Sequence, residues 1–284
     1  MTSRWRSIFL FILGGLLFQS AQALDIKTWE TSNGVKVLFV ESHALPMVDV
    51  RLTYKAGSAR DGDKPGISRL VNALLVEGTG DISAEQIALT FESVGAQQGH
   101  DSLRDMAWTS LRSLSDPAML DKTSDLFARI NALPSFPLDA IERDRKSLLV
   151  SLANREKEIS NVVEDAFFKQ VYQGHAYELG PHGTEQGLKS ISRQDLIDFH
   201  ARYYVAANAT LALVGDLTES EARRYAEQLT RYLKKGEPAA VLGPAPKVDK
   251  AQTIRIPFKT TQSHIVQGMP VLTRNDADYF ALYV

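Results

Sequence analysis

The sequence predicts an α+β fold, a mixed and mostly antiparallel sheet covered by helices, followed by the beginning of a second, similar domain. Three observations carry this expectation. The 284 residues are 44% apolar and 23% charged, which suits one large core or two ordinary ones and argues against a disordered, collagen-like or multi-pass membrane chain. Short β-rich runs alternate with longer stretches of helical periodicity from residue 26 to residue 233. A stretch bearing Gly236, Pro238, Gly243, Pro244 and Pro246 then separates this body from two more strand-like runs.

Residues 1–23 read as a secretory signal peptide. Arg4 and Arg6 form its basic start, 8–18 its apolar run, and Ala21-Gln22-Ala23 its small-x-small cleavage pattern. The alternative is a membrane anchor, but the run is about half the ~20 apolar residues that span a bilayer. Removing residues 1–23 from 284 leaves 261, and losing two arginines moves the net charge from -2 to -4. A signal on a chain without cysteine fits a bacterial periplasm, with outer-membrane and secreted destinations left open.

Residues 26–31 and 35–41 form a hairpin around Asn33-Gly34. Residues 48–55 alternate as a half-buried strand, and a Gly- and Asp-rich loop leads into a helix over 66–77. Gly78-Thr79-Gly80 stops that helix. Ser83 caps the next one, with Gln86 completing a capping box, and Gly95 ends it. A polar extended segment over 96–102 precedes a strand with Met106, Trp108, Ser110 and Arg112 on one face. Helical periodicity covers 116–132, 138–158 and 162–172, and a loop of Gly, His and Pro runs over 174–183. Ser192 caps a helix over 193–203, residues 209–214 form an apolar strand, and Thr218 caps a helix through 233. Strand-like runs at 253–258 and 264–272 precede a helix starting at Asp276. The division is therefore a signal at 1–23, a first domain at 24–235, a linker at 236–251 and an incomplete second domain at 252–284. The alternative is that the last strands simply dock on the first domain.

Composition narrows the chemistry. Lys and Arg number 32 against 34 Asp and Glu, so there is no basic excess to attract nucleic acid. No cysteine means no disulfide, no thiolate nucleophile and no Cys-ligated zinc. Histidine and carboxylate remain as the route to a metal site. No G-x-S-x-G elbow, P-loop or G-x-G-x-x-G pattern is present.

Several segments together resemble the pitrilysin/insulinase family of zinc metallopeptidases, the inverzincins. Gly66-Ile67-Ser68-Arg69-Leu70-Val71-Asn72-Ala73-Leu74-Leu75 and Glu77-Gly78-Thr79 are similar to that family's metal-binding helix and the turn after it. Gly174-His175-Ala176-Tyr177, Gly183-Thr184, Tyr203-Tyr204 and Val214-Gly215-Asp216 continue the resemblance, which covers roughly residues 25–284.

The resemblance implies H-x-x-E-H on one helix, where two histidines share zinc and the glutamate activates water. Here the matching positions are Arg69, Asn72 and Ala73. Arginine stays protonated, asparagine has no basic carboxylate and alanine has no donor. The implied third ligand falls near Val150 or Ser151, in a stretch over 146–155 that contains no Glu. The six histidines are His43, His100, His175, His182, His200 and His264, and none pairs with another at helical i,i+4 spacing. A fortuitous site from His175, His182 and Glu178 is the alternative to solvated turn residues. For Arg69, a salt bridge or an exposed head with a packed stem stands against contact with a partner or with a peptide carboxylate.

These residues point to a non-catalytic subunit with no metal of its own. The resemblance implies a zinc-bearing pitrilysin-like partner, peptide or unfolded protein as substrate, and zinc only in that partner. The segment Gly95, Ala96, Gln97, Gln98, Gly99, His100 and Asp101 resembles the family's edge strand, to which an extended peptide adds through its backbone. Burial of that strand inside the sheet is the alternative. Competing readings of the whole chain are a metallopeptidase with atypical ligands and a scaffold without proteolytic association.

Overall fold

The computed structural model describes residues 25–283, and the signal-peptide expectation for 1–23 lies outside the described residues. The opening hairpin forms as the Asn33-Gly34 pair predicts. Gly34 takes φ 94°, which a side chain would disfavour, and joins β1 (Lys27–Glu30) to β2 (Lys36–Glu41). β3 (Met47–Tyr54) follows and leads through a 3-10 turn into α1 (Ile67–Leu74). A two-stranded ribbon, β4 (Gly78–Thr79) and β5 (Ile82–Ser83), separates α1 from α2 (Ala84–Glu92). Next come β6 (Gln97–Ser102), β7 (Ala107–Leu114), α3 (Pro117–Ala132), α4 (Leu138–Arg155) and α5 (Ile159–Val171). The body closes with α6 (Glu185–Ser190), α7 (Arg193–Tyr203), β8 (Ala209–Gly215) and α8 (Glu219–Thr230).

The main sheet runs β1-β2-β8-β3-β7-β6, and only the β2–β8 pair is parallel. It is the mixed, mostly antiparallel sheet that the sequence predicts. Period-2 alternation gives it one buried and one open face. Val48, Val50, Leu52 and Tyr54 of β3 point with Leu211 and Leu213 of β8 into a core shared with the helices. On the open face Arg51 stacks over Trp108 at 4.0 Å, and Arg112 grips Asp49 through bonds of 2.6 and 2.9 Å.

α1 sits at the centre of the helical layer, packed against α4, α7, β6 and β7. Its Ile67, Leu70, Val71 and Leu74 are buried, so truncating one of these leucines to alanine would cost about 2–5 kcal/mol. Three of the helices carry the capping boxes or caps that the sequence signals. Ser83 bonds with Gln86, Ser192 with Asp195 and Thr218 with Glu221.

Two features depart from the sequence reading. α6, capped by Thr184, lies between the loop over 174–183 and the Ser192 cap, where the sequence reading assigns no element, because six residues are too few for a periodic signal. The runs at 253–258 and 264–272 are not strands. Neither edge strand of the sheet, β1 or β6, pairs with them, and an unpaired run leaves its N–H and C=O groups to water. This tail is exposed, with Ile265 at 86%, and carries one short helix, α9 (Tyr279–Tyr283).

Candidate functional site

The helix that the sequence singles out begins at Gly66, whose φ of 103° belongs to the left-handed region. Asp61, from the preceding turn, does the capping. Its carboxylate accepts the N–H of Gly66 at 2.7 Å and of Ser68 at 3.0 Å, satisfying donors that a helix start leaves free. Burial pushes Asp61 up to about 7, against the pull of those same donors. Above this turn the loop over 174–183 passes close enough that Gly183, at φ 70°, would place a Cβ 2.5 Å from the Pro65 carbonyl oxygen.

The three positions of the expected metal motif have different fates. Asn72 is 1% exposed and fully engaged. Its Nδ2 donates to the Trp108 carbonyl at 3.3 Å and lies 3.5 Å from the Tyr204 hydroxyl. Its Oδ1 is therefore the acceptor, and His100 Nδ1 donates to it at 3.1 Å. Arg69, with 32% of its side chain exposed, reaches Asp101 Oδ1 at 3.5 Å. This is the salt-bridge outcome. Ala73 is half-buried and offers no donor atom.

These residues do not fit a zinc ion. A cation and a methyl group stand where two imidazoles would be needed, and the amide between them is spent on hydrogen bonds. Val150 and Ser151 lie on an exposed stretch of α4 and add no carboxylate. Among the described residues no cluster of three His, Asp or Glu is placed to hold a metal.

The proposed peptide segment divides in two. Gly95, at φ 65°, and Ala96 close α2, with the Ala96 N–H bonded to the Phe91 carbonyl at 3.0 Å. Gln97, Gln98, Gly99, His100 and Asp101 belong to β6, which pairs only with β7 and forms an edge of the sheet. Burial of this strand within the sheet is therefore not what the structure has. His100 is half-buried against α1, and that burial pulls its pKa down, with Asp101 opposing and Arg69 reinforcing the shift.

Three of the remaining histidines have structural partners, whereas His182 is half-buried, with burial pulling its pKa down, and His264 is exposed. His175 uses both ring nitrogens, on the Gly243 carbonyl and the Tyr177 N–H, while Glu178 accepts from the Gly174 N–H at 2.7 Å. His200 Nε2 donates to the Asn131 carbonyl at 2.9 Å. His43 meets Asp216 at 2.6 Å, and Asp216 also accepts from Ser115 at 2.6 Å. That trio was not legible in the sequence, since Asp216 is 173 residues from His43. It is no hydrolytic triad, because the carboxylate rather than the imidazole stands in the middle, and Ser115 bonds to Asp216 and not to His43.

The mixed sheet, and a helix carrying Arg69, Asn72 and Ala73 at the place of a metal motif, define a metallopeptidase-type domain without the ligand set for zinc. The chain belongs to the insulinase family, peptidase family M16. The family model described as Insulinase (Peptidase family M16) matches residues 36–185, and the one described as Peptidase M16 inactive domain matches 190–284. The two matches meet within the packed body, not at the linker.

A solved structure of a peptidase M16 inactive domain from Pseudomonas fluorescens is 37% identical with a TM-score of 0.77. The match covers 78% of this chain and 54% of that one. An uncharacterized zinc protease of Rickettsia felis is 26% identical over 72% of this chain and 50% of the relative. A protein of Helicobacter pylori named non-peptidase homolog YmxG is 21% identical over 89% of this chain and 59% of its own length. The chain thus spans about half the length of the curated relatives it matches.

Proposed function

We propose that this chain is the non-catalytic member of a peptidase pair. It holds peptide or unfolded protein in the bacterial periplasm for a zinc-bearing pitrilysin-like subunit, and it takes up no metal itself. The observation that carries this reading is the state of Asn72, whose amide is committed to Trp108 and His100 where the family's chemistry needs a free carboxylate. The names of two matched proteins, an inactive domain and a non-peptidase homolog, support the same reading. The free edge of β6 supplies a surface for sequence-tolerant backbone pairing.

The test is cleavage of a quenched fluorescent peptide by the purified chain, alone and mixed with a relative that carries H-x-x-E-H. The expected result is no cleavage alone, together with complex formation and altered cleavage in the mixture. Cleavage by this chain alone, abolished by a chelator, would overturn the proposal.

A further inference from the structure

We propose that Arg69 is a carboxylate receptor beside the free edge of β6, selecting extended peptides that carry an acidic side chain there. The inference rests on the peptide-handling reading above and adds the class of peptide.

The first support is the hydrogen-bonding phase of β6. The Leu103 N–H donates to the Met106 carbonyl at 2.8 Å, and the register continues from there through Ser102 opposite Ala107 to Gln97 opposite Arg112. Antiparallel pairs alternate between bonded and non-bonded positions. Asp101 and Gly99 therefore exchange bonds with β7, and the N–H and C=O groups of His100 and Gln98 face away from it. Two such residues, two positions apart, match the spacing of an added strand. The ladder is closed at one end, where Asp101 Oδ1 accepts the Ser102 N–H at 2.8 Å.

The second support is that Arg69 is poorly filled where it stands. Its single ion pair among the described residues is the 3.5 Å contact with Asp101, through an oxygen that Ser102 already uses. Other arginines of the chain show what a filled fork looks like. Arg112 makes two bonds to Asp49, and Arg155 binds Asp165 at 2.9 and 3.2 Å and Asn161 at 2.9 Å. A guanidinium always carries its charge, and its planar fork matches a carboxylate through two parallel bonds. Partial burial on α1 makes such a pair stronger than it would be in open water. Position and charge thus place an anion-seeking group next to backbone seeking a strand.

Fluorescence anisotropy of the full chain with short labelled peptides tests this. The probes are two C-terminally amidated peptides that differ only by Glu or Gln at one central position, and a Gln peptide with a free C-terminus. The expected result is binding of the Glu peptide about five- to tenfold tighter than its Gln twin at low salt, with the gap narrowing at high salt. Arg69→Gln equalises the two while binding persists. Asp101→Asn, which releases the guanidinium, widens the gap. Equal binding of the two amidated peptides overturns the proposal, as does a preference that survives Arg69→Gln or one that follows only the free C-terminus. In those cases the peptide-handling reading stands. No binding of any probe overturns both.

Discussion

His100 and Asn72 meet where β6 crosses α1, with the imidazole Nδ1 donating to the carboxamide Oδ1 across 3.1 Å. The contact joins the edge strand to the helix that would have carried the metal motif. It turns a would-be catalytic position into a structural one. Asn72→Ala should leave the His100 donor and the Trp108 carbonyl without their partner. The expected loss is about 1–3 kcal/mol, read as a lower Tm in thermal unfolding. Asn72→Glu, although it restores one letter of the motif, should also lower Tm because it brings a second kind of acceptor against the Trp108 carbonyl.

Gly183 lets the loop over 174–183 lie against the start of α1. Gly183→Ala would combine a left-handed φ with a Cβ 2.5 Å from the Pro65 carbonyl. Backbone cannot swing aside as a side-chain tip can, so a loss of about 1–3 kcal/mol is expected. Urea titration measures it, and an unchanged midpoint would show that the loop shifts freely.

His200 makes stability depend on pH. It is buried between Phe136 and Tyr204, and that burial pulls it down to about 4. In the unfolded chain it titrates near 6.5. Between those values the unfolded state binds the extra proton, so stability is full above about 6.5 and is lost as pH falls toward 4. The loss by pH 5 is about 2 kcal/mol. Asp61, raised by burial to about 7, acts with the opposite sign as pH rises. The comparison is therefore between the wild type and His200→Phe, whose stability difference should shrink as pH drops from 7 to 5.

The exposed tail after α8 should be the first part lost to a protease. Residues 236–272 hold no helix or strand, and several of their apolar side chains, Met269 and Val271 among them, are exposed. Limited proteolysis followed by mass spectrometry should leave a stable fragment ending between residues 233 and 272. Protection of the whole tail would show that it packs as firmly as the body.

Local signals were the legible ones. The Ser83–Gln86 box, the Ser192 and Thr218 caps and the Asn33-Gly34 turn each act within four residues, so sequence alone places them. The pairing partners were not legible. β8 inserts between β2 and β3, a choice made by burial of Leu211 and Leu213 over distances in sequence that no periodicity reports. The same limit applies at the site. Arg69, Asn72 and Ala73 announce a lost motif, but that Asn72 binds His100 and Arg69 binds Asp101 depends on how β6 crosses the helix. Asp61 read as an ordinary loop residue, because its role as the cap of α1 exists only once the turn folds back. In the tail the β-rich composition was visible, but not that these runs pair with no strand among the described residues.

Zinc titration of the metal-free chain by calorimetry asks whether the residues on α1 hold a metal. No saturable binding is expected, with the same flat response in Asn72→Ala. One equivalent bound with submicromolar affinity, and abolished by substitutions on α1, would contradict it.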